Sequence, residues 1–389
     1  MKIANRMEKL APSLTLSITA LANELKAAGK DILSFSAGEP DFDTPQVVKD
    51  AAIKAINEGK TKYTAVEGIK ETKQAIINKL KKDHNLDYTL DKIVISNGAK
   101  HSLFNLAQAL IDEGDEVIIP SPYWVTYPEL VVYSGGVPVF IETDESTEFK
   151  ITAKQLKEKI TPKTKILMLN SPSNPTGSIY SKDELLAIGE VLKGTDIIVL
   201  SDEMYEKLIY KGKKFTATAE VSPDMYNRTV TINGLSKSVA MTGWRFGYVA
   251  CPNSALAKAM SKLQGQVTSN VNSMTQYAAI VALEGEANKD IEMMRIEFEK
   301  RKDYAVKAIN NISKLSCYDP DGAFYLFINI KKYSNDSMKF CADLIESKGV
   351  ALVPGLAFGM EGYVRLSFAT SMKAIEDGIN RIKEFVENR

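Results

Sequence analysis

Between about residues 70 and 250, short apolar runs alternate with helical patterns, and this alternation restricts the chain more than any other feature. The runs end in polar clusters. KIVIS leads into Asn97-Gly98-Ala99-Lys100, EVIIP into Ser121-Pro122-Tyr123-Trp124, KILMLN into Ser171 to Gly177, and IIVLSD into Glu203 to Tyr205. Continuous apolar strands are buried on both faces, which requires covering helices on each side of a mainly parallel sheet. The expected fold class is therefore α/β, a large domain with a mainly parallel sheet flanked by helices, plus a smaller α/β domain. Ligands bind outside the carboxyl ends of strands in such sheets, so the polar clusters should converge on one crevice.

After about residue 285 the texture changes to ANKDIEMMRIEFEKRKDYAVKAINNI and then to a mixture of strands and helices. This reads as a connecting helix followed by the second domain. The expected division is an N-terminal segment, 1–45, packing with the small domain, a large domain, 46–285, and a small domain, 286–389. Leu14, Ile18, Leu21 and Leu25 fall at helical spacing, interrupted by Asn23 and Glu24, so an amphipathic helix is expected there and not a secretory segment. No apolar run approaches the roughly 20 residues of a spanning helix.

Charge and residue counts exclude several function classes. Forty-nine basic residues balance forty-nine acidic ones, so no net field recruits nucleic acid or an anionic membrane, and substrate recognition must be local. Cys251, Cys317 and Cys341 are far apart in sequence and read as buried reduced thiols of a cytoplasmic protein. Only His84 and His101 are available, too few for a multi-histidine metal centre, and no metal is expected. His84, in KKDHNLD, is expected to be solvated; His101, beside Lys100, either packs on a helix face or neighbours the site.

Asp202 closes an apolar strand, where a buried carboxylate needs a cationic or hydrogen-bonding partner. The prolines and glycine of SPSNPTG, 171–177, hold a turn that aims Asn174. Lys237 and Arg245 lie in NGLSKSVAMTGWR, between the strand-like runs RTVTI and FGYVAC. A nucleophilic lysine needs a desolvated or cationic neighbourhood to lower a pKa of about 10.4, and Arg245 is a candidate neighbour. Arg365, inside VRLSFA, calls for a carboxylate held by two parallel hydrogen bonds. Gly98-Ala99-Lys100 opens a helix whose first N–H groups and dipole face an anion. Taken singly, each has a structural alternative: a cap or ion pair at Asp202, a plain turn at 171–177, a salt bridge at Arg365.

In order and spacing, Asn174, Asp202, Tyr205, Lys237, Arg245 and Arg365, within SPSNPTG, SDEMY, SK and GWRFGY, resemble the fold-type I pyridoxal-phosphate aminotransferases of class I. The likeness is greatest to the bacterial and archaeal aspartate aminotransferase branch. It runs from SAGEPDFDTP at 36–45 through GKTKYTAVEG at 59–68 and SPYW at 121–124 to Arg365. The resemblance implies pyridoxal 5′-phosphate as cofactor, bound by the large domain. Lys237 matches the lysine that bonds covalently to the cofactor and then shuttles the substrate's α-proton. Asp202 matches the partner of the pyridine nitrogen, Asn174 and Tyr205 the donors to the ring's 3-oxygen, and Trp124 the stacking aromatic. Gly98, Ala99, Lys100, Ser236 and Arg245 match the phosphate cup. Tyr63 matches a tyrosine reaching the phosphate from the neighbouring subunit, which implies a homodimer with shared active sites.

On the substrate side the resemblance implies contacts from Gly38, Trp124 and Asn174, with Arg365 on the α-carboxylate. Animal-type members hold the distal carboxylate with an arginine before a segment resembling VTSNVNS, 267–273, yet no arginine occurs here between Arg245 and Arg295. Lys100 matches a lysine that this branch places near the distal end, with Ser13 and Thr15 adding hydroxyls. The expected donors are L-aspartate and L-glutamate, with oxaloacetate and 2-oxoglutarate as acceptors. An aminotransferase for aromatic or other neutral amino acids and a β-lyase are alternatives compatible with the same residues. A non-catalytic regulator of aminotransferase-like fold is the alternative from another class, but it would add a DNA-binding segment, and this chain begins almost at the enzyme fold.

Overall fold

The computed structural model describes residues 2–388. Strands are numbered in chain order: β1 Leu33–Ser34, β2 Ile93–Asn97, β3 Glu116–Ser121, β4 Val137–Glu142, β5 Thr164–Asn170, β6 Ile198–Asp202, β7 Thr229–Gly234, β8 Phe246–Ala250, β9 Ser316–Cys317, β10 Tyr325–Asn329, β11 Val350–Ala351, β12 Val353–Pro354 and β13 Tyr363–Ser367. Strands β2 to β8 make one seven-stranded sheet in the order β2-β8-β7-β6-β5-β3-β4. The pairs from β7 to β4 are parallel, and only β8 runs against its neighbours. The α/β expectation therefore holds.

The pleat divides the apolar strand residues between two cores. Ile166 and Met168 of β5 pack with Leu103 and Leu106 of the helix Ala99–Leu110. Leu167 and Leu169, pointing the other way, pack with Leu185, Ile188 and Leu192 of the helix Lys182–Leu192. Each such side chain contributes about 1.5–3 kcal/mol of burial, so helices on both faces are required by the strand composition. From β3 the chain pairs β4 on one side and later β5 on the other, and a crevice opens outside the carboxyl ends of strands at such a switch.

The later chain builds a four-stranded antiparallel sheet, β12-β13-β10-β9, reached through the long helix Asn288–Asn310. The N-terminal segment is stitched to this part. β1 pairs in parallel with β11, Phe35 N donates to Ala351 O at 2.9 Å, and Ser367 N donates to Phe35 O at 2.9 Å. These bonds carry Ser36 to Gly38 onto the crevice. The expected N-terminal helix forms as Leu14–Ala27, but Ala22 is its one buried residue among those described, and Leu16 and Leu21 are exposed. Its apolar stripe covers little core because the helix lies at the mouth of the crevice, where Ser13, Thr15 and Thr19 point inward. All three cysteines are buried and free.

One expectation needs correction: His84 is not solvated. It ends the helix Lys70–His84, its side chain is 7% exposed, and its Nε2 lies 2.9 Å from Glu206 Oε2. Nδ1 is 3.3 Å from Glu220 Oε2. Lys81, Lys82, Asn85 and Asp87 of KKDHNLD face water, whereas the ring turns towards carboxylates that come from more than a hundred residues later. Burial disfavours the imidazolium, but hydrogen bonds to Glu206 and Glu220 outweigh it and raise the pKa from 6.5 to about 9. For Glu203 burial acts in the opposite direction and itself lifts the carboxyl to about 7. Both folded-state pKa values exceed their unfolded ones, so both contributions favour the folded state at low pH and fade as pH rises. For His84 the contribution is complete below about pH 6.5 and lost through pH 9, at most on the order of 3 kcal/mol. Denaturant unfolding across that window should show stability falling with pH, and His84→Gln should flatten the fall by losing stability mainly at its acid end.

Candidate active site

A cavity of about 400 Å³ opens beyond the carboxyl ends of β3, β5 and β6 and is closed by the β7–β8 connection, the N-terminal segment, β10 and β13. Asp202 forms its floor. The carboxylate is buried, with Oδ2 accepting from Tyr127 Oη at 2.7 Å and Oδ1 from Met204 N at 3.2 Å. Burial raises its pKa, and the two hydrogen bonds and the Lys237 charge oppose that shift. Among the described residues it makes no ion pair, so the structural salt-bridge explanation of this carboxylate fails. Asn170, ending β5, donates from Nδ2 to Asp202 O at 3.0 Å and accepts Asn174 N at 2.7 Å on Oδ1. This single side chain ties the two strand ends and orients the 171–177 turn.

Arg365 lies on β13 and is 3% exposed. Its Nη1 donates to Asn174 Oδ1 at 2.9 Å and its Nη2 to Ser36 O at 2.8 Å, while Nε has no partner. The guanidinium faces the Tyr325 ring at 4.4 Å and the Phe358 ring at 5.0 Å. Burial holds its pKa below the usual arginine value. No carboxylate among the described residues pairs with it, and a dry cation held by neutral oxygens and π-faces is built to receive an external anion. Tyr325 Oη shares a 2.8 Å hydrogen bond with Tyr205 Oη, so the 205 phenol is linked to the same wall.

Lys237 follows β7 and donates from Nζ to the Gly38 carbonyl. Burial lowers its pKa from 10.5 to about 8; Arg365 and Arg245 push the same way, and Glu39 and Asp202 resist. The amine therefore has an appreciable neutral, nucleophilic fraction near neutrality. Arg245 sits in the left-handed region at φ +57°, with Nη1 donating to Thr242 O at 2.8 Å and Nη2 to Asn97 O at 3.4 Å. A non-glycine residue held there is uncommon and clusters at functional sites. Gly98, at φ +82°, precedes the helix Ala99–Leu110, and a Cβ there would stand 2.4 Å from Arg245 Nη2. The guanidinium and a helix N-terminus thus meet across a bare glycine, a cradle suited to phosphate.

Ala99, Ser236, Thr15 and Gly38 also line the cavity. Lys100 Nζ lies 5.0 Å from the centre of the Trp124 ring, and burial, then the Arg245 charge, lower its pKa. Ser13 and Thr15 share a 2.9 Å hydroxyl contact at the entrance. Tyr63 is not brought to this cavity within the chain, being 91% exposed. His101 packs against the end of β2, where its Nδ1 accepts Asn97 N at 3.2 Å. Tyr127, Tyr325 and Ser36 belong to the cavity without having been singled out from sequence. Tyr127 carried a signal, standing three residues after Trp124 at the start of a helical pattern; Tyr325 looks like any other aromatic of an apolar strand.

A lysine with this pKa should stand apart chemically. In cofactor-free protein, where the amine is free, reductive alkylation with a small aldehyde should modify Lys237 with a half-maximal rate near pH 8, against about 10.4 for exposed lysines. Peptide mapping of the pH series checks this, and a Lys237 profile like that of the surface lysines would contradict the desolvated environment.

Comparison with known proteins gives a consistent set of likenesses. Residues 30–382 match the family model described as aminotransferase class I and II. The chain is 50% identical to an aspartate aminotransferase of Geobacillus stearothermophilus, with both chains covered completely. It is 46% identical to an aspartate/prephenate aminotransferase of Nitrosomonas europaea, covering 98% of this chain and 99% of the other. Among solved structures, aspartate aminotransferases from Rhizobium meliloti and from Thermus thermophilus, the latter with maleate, superpose with TM-scores of 0.96 and 0.95. The identities are 41% and 38%, over at least 99% of each chain.

Proposed function

The chain belongs to the class I and II aminotransferases, and on that premise we propose that it transfers the amino group of L-aspartate to 2-oxoglutarate, giving oxaloacetate and L-glutamate, with pyridoxal 5′-phosphate as cofactor. The observation that carries this reading is the convergence on one cavity of a desolvated amine, a buried carboxylate and a buried guanidinium, the last two without an ionic partner among the described residues. The donor set fits the cofactor: Gly98, Ala99, Ser236 and Arg245 for its phosphate, Asp202 for its pyridine nitrogen, and Asn174 and Tyr205 for its 3-oxygen. Lys100 at the helix start and Trp124 beside it complete that wall. When bound, the cofactor supplies a ring that accepts the electron pair left on the substrate's α-carbon.

The chain's own residues then have separable tasks. Asp202, ionised, keeps the proton on the pyridine nitrogen. With the cofactor bound, Lys237 would take the proton from the substrate's α-carbon and carry it to the cofactor's C4′. Arg365 orients the α-carboxylate in the dry pocket between Tyr325 and Ser36, with Gly38, Asn174 and Trp124 around the substrate. Lys100 answers the distal carboxylate, with Thr15 beside it; a lysine offers a point charge without the planar fork of arginine, which favours a broader substrate range. The maleate in the Thermus structure, a four-carbon dicarboxylate, supports this class of substrate. We also read Tyr63 as reaching the phosphate of a neighbouring subunit in a homodimer. The aspartate/prephenate relative favours a second reading, in which an oxo acid with a bulkier body also accepts the amino group.

Adding single amino acids to cofactor-loaded protein and following the absorbance change of the half-reaction tests the proposal. L-aspartate and L-glutamate should react fastest; a protein that converts neutral amino acids and leaves both dicarboxylates untouched would require another substrate class. Lys100→Ala should weaken kcat/KM for the dicarboxylates by about 1–3 kcal/mol and spare phenylalanine. Equal losses for aspartate and phenylalanine would assign Lys100 to the phosphate or to the helix start.

A further inference from the structure

Asp202 depends on one side chain that neither the motifs nor the tasks above include. We propose that Tyr127 is a positioning residue: by donating its hydroxyl hydrogen to Asp202 Oδ2 it keeps that carboxylate ionised and aimed, and so keeps the cofactor's pyridine nitrogen protonated. The inference rests on the function proposed above.

Tyr127 is 3% exposed and sits in the first turn of the helix Thr126–Tyr133. Its Oη lies 2.7 Å from Asp202 Oδ2, and among the described residues the other donor to the carboxylate is a backbone N–H, that of Met204, at 3.2 Å. No cation forms an ion pair with Asp202 there, and the phenol contributes most among the three groups, with the Met204 N–H and the Lys237 charge, that resist the proton burial would place on this carboxylate. Tyr127 is itself fully desolvated, which drives its own pKa well above 10 and leaves it a neutral donor over the whole working range.

With a pyridine nitrogen opposite, one proton has two resting places, the ring nitrogen or an Asp202 oxygen. Hydrogen bonding to the ionised carboxylate lowers its basicity and leaves the proton on nitrogen; without the phenol, the proton moves towards oxygen and the ring becomes a poorer electron acceptor. Proton and charge are conserved in either arrangement. The Tyr127 ring meets Trp124 edge-on, with centroids 5.5 Å apart at 89°, so Tyr127 also braces the aromatic beside Lys100. A purely packing role is the competing explanation, and replacing the hydroxyl without changing the ring's shape separates the two.

The test uses the full-length holoprotein loaded with pyridoxal 5′-phosphate labelled with 15N in the ring, and compares wild type, Tyr127→Phe and a variant carrying 4-fluorophenylalanine at 127. The fluorinated residue fills the hydroxyl's space and has no donor hydrogen, and it serves if the phenylalanine variant fails to fold. Both variants should shift the ring 15N resonance towards the neutral-pyridine range and slow exchange of the substrate's α-proton by roughly tenfold to a hundredfold, with KM for aspartate little changed. Wild-type resonance and exchange rate in either folded variant would overturn the inference, as would a defect in Tyr127→Phe that the fluorinated variant repairs. Wild-type protein that takes up no cofactor would instead overturn the proposed function, and this inference with it.

Discussion

A guanidinium and a carboxylate lie dry in one cavity, each without an ionic partner among the described residues, and the rest of the site is arranged around that constraint. Isolated buried charges are costly, and pairing them would be the ordinary solution. Here Arg365 is held by Asn174, the Ser36 carbonyl and two aromatic faces, and Asp202 by Tyr127 and a backbone amide. Neutral dipoles keep both groups charged without consuming the charge. What remains is free to meet a carboxylate on one side and a protonated ring on the other, a preorganised polar environment of the kind that favours catalysis.

Keeping these groups apart requires elements that are distant in sequence to arrive together. Asp202 and Asn174 come from the ends of adjacent parallel strands tied by Asn170, whereas Arg365 comes from the antiparallel sheet and Ser36 from a segment stitched to that sheet. Lys237 is supplied by the β7–β8 connection, and its amine meets Gly38 from the N-terminal segment. Removing any one of these supports would leave a buried polar group unsatisfied, so the integrity of the site and that of the tertiary packing are physically the same matter. The His84–Glu206 pair shows another use of buried charge, in which opposite partners are joined and their effect falls on stability.

Period and composition made the central sheet legible. Runs such as KILMLN and IIVLSD are apolar on both pleat faces, and parallel β-structure covered by helices is the arrangement that buries them. The polar ends of those runs pointed to the crevice for the same reason, since a strand that is dry along its length presents its chemistry where it stops. Lys237, Arg245 and Arg365 stood out because their charges interrupt apolar or small-residue surroundings. At His84 the charged neighbours suggested solvent, but the carboxylates that bury it lie far along the chain. Leu21 misled in the same way, since helical spacing cannot tell an apolar face that packs from one left exposed.

Local chemistry therefore decided the α/β class, the helices and strands, and the residue types able to bind an anion, activate an amine or hold a ring nitrogen, because these follow from side-chain pattern along a few neighbouring residues. Long-range contacts decided the protonation behaviour and the free valences. That Lys237 titrates near 8, that Arg365 meets no carboxylate among the described residues, that Tyr127 donates to Asp202 and that Tyr325 links Tyr205 to the arginine wall all depend on which distant groups surround each site. Desolvation is a property of the assembled surroundings, and no stretch of sequence carries it alone.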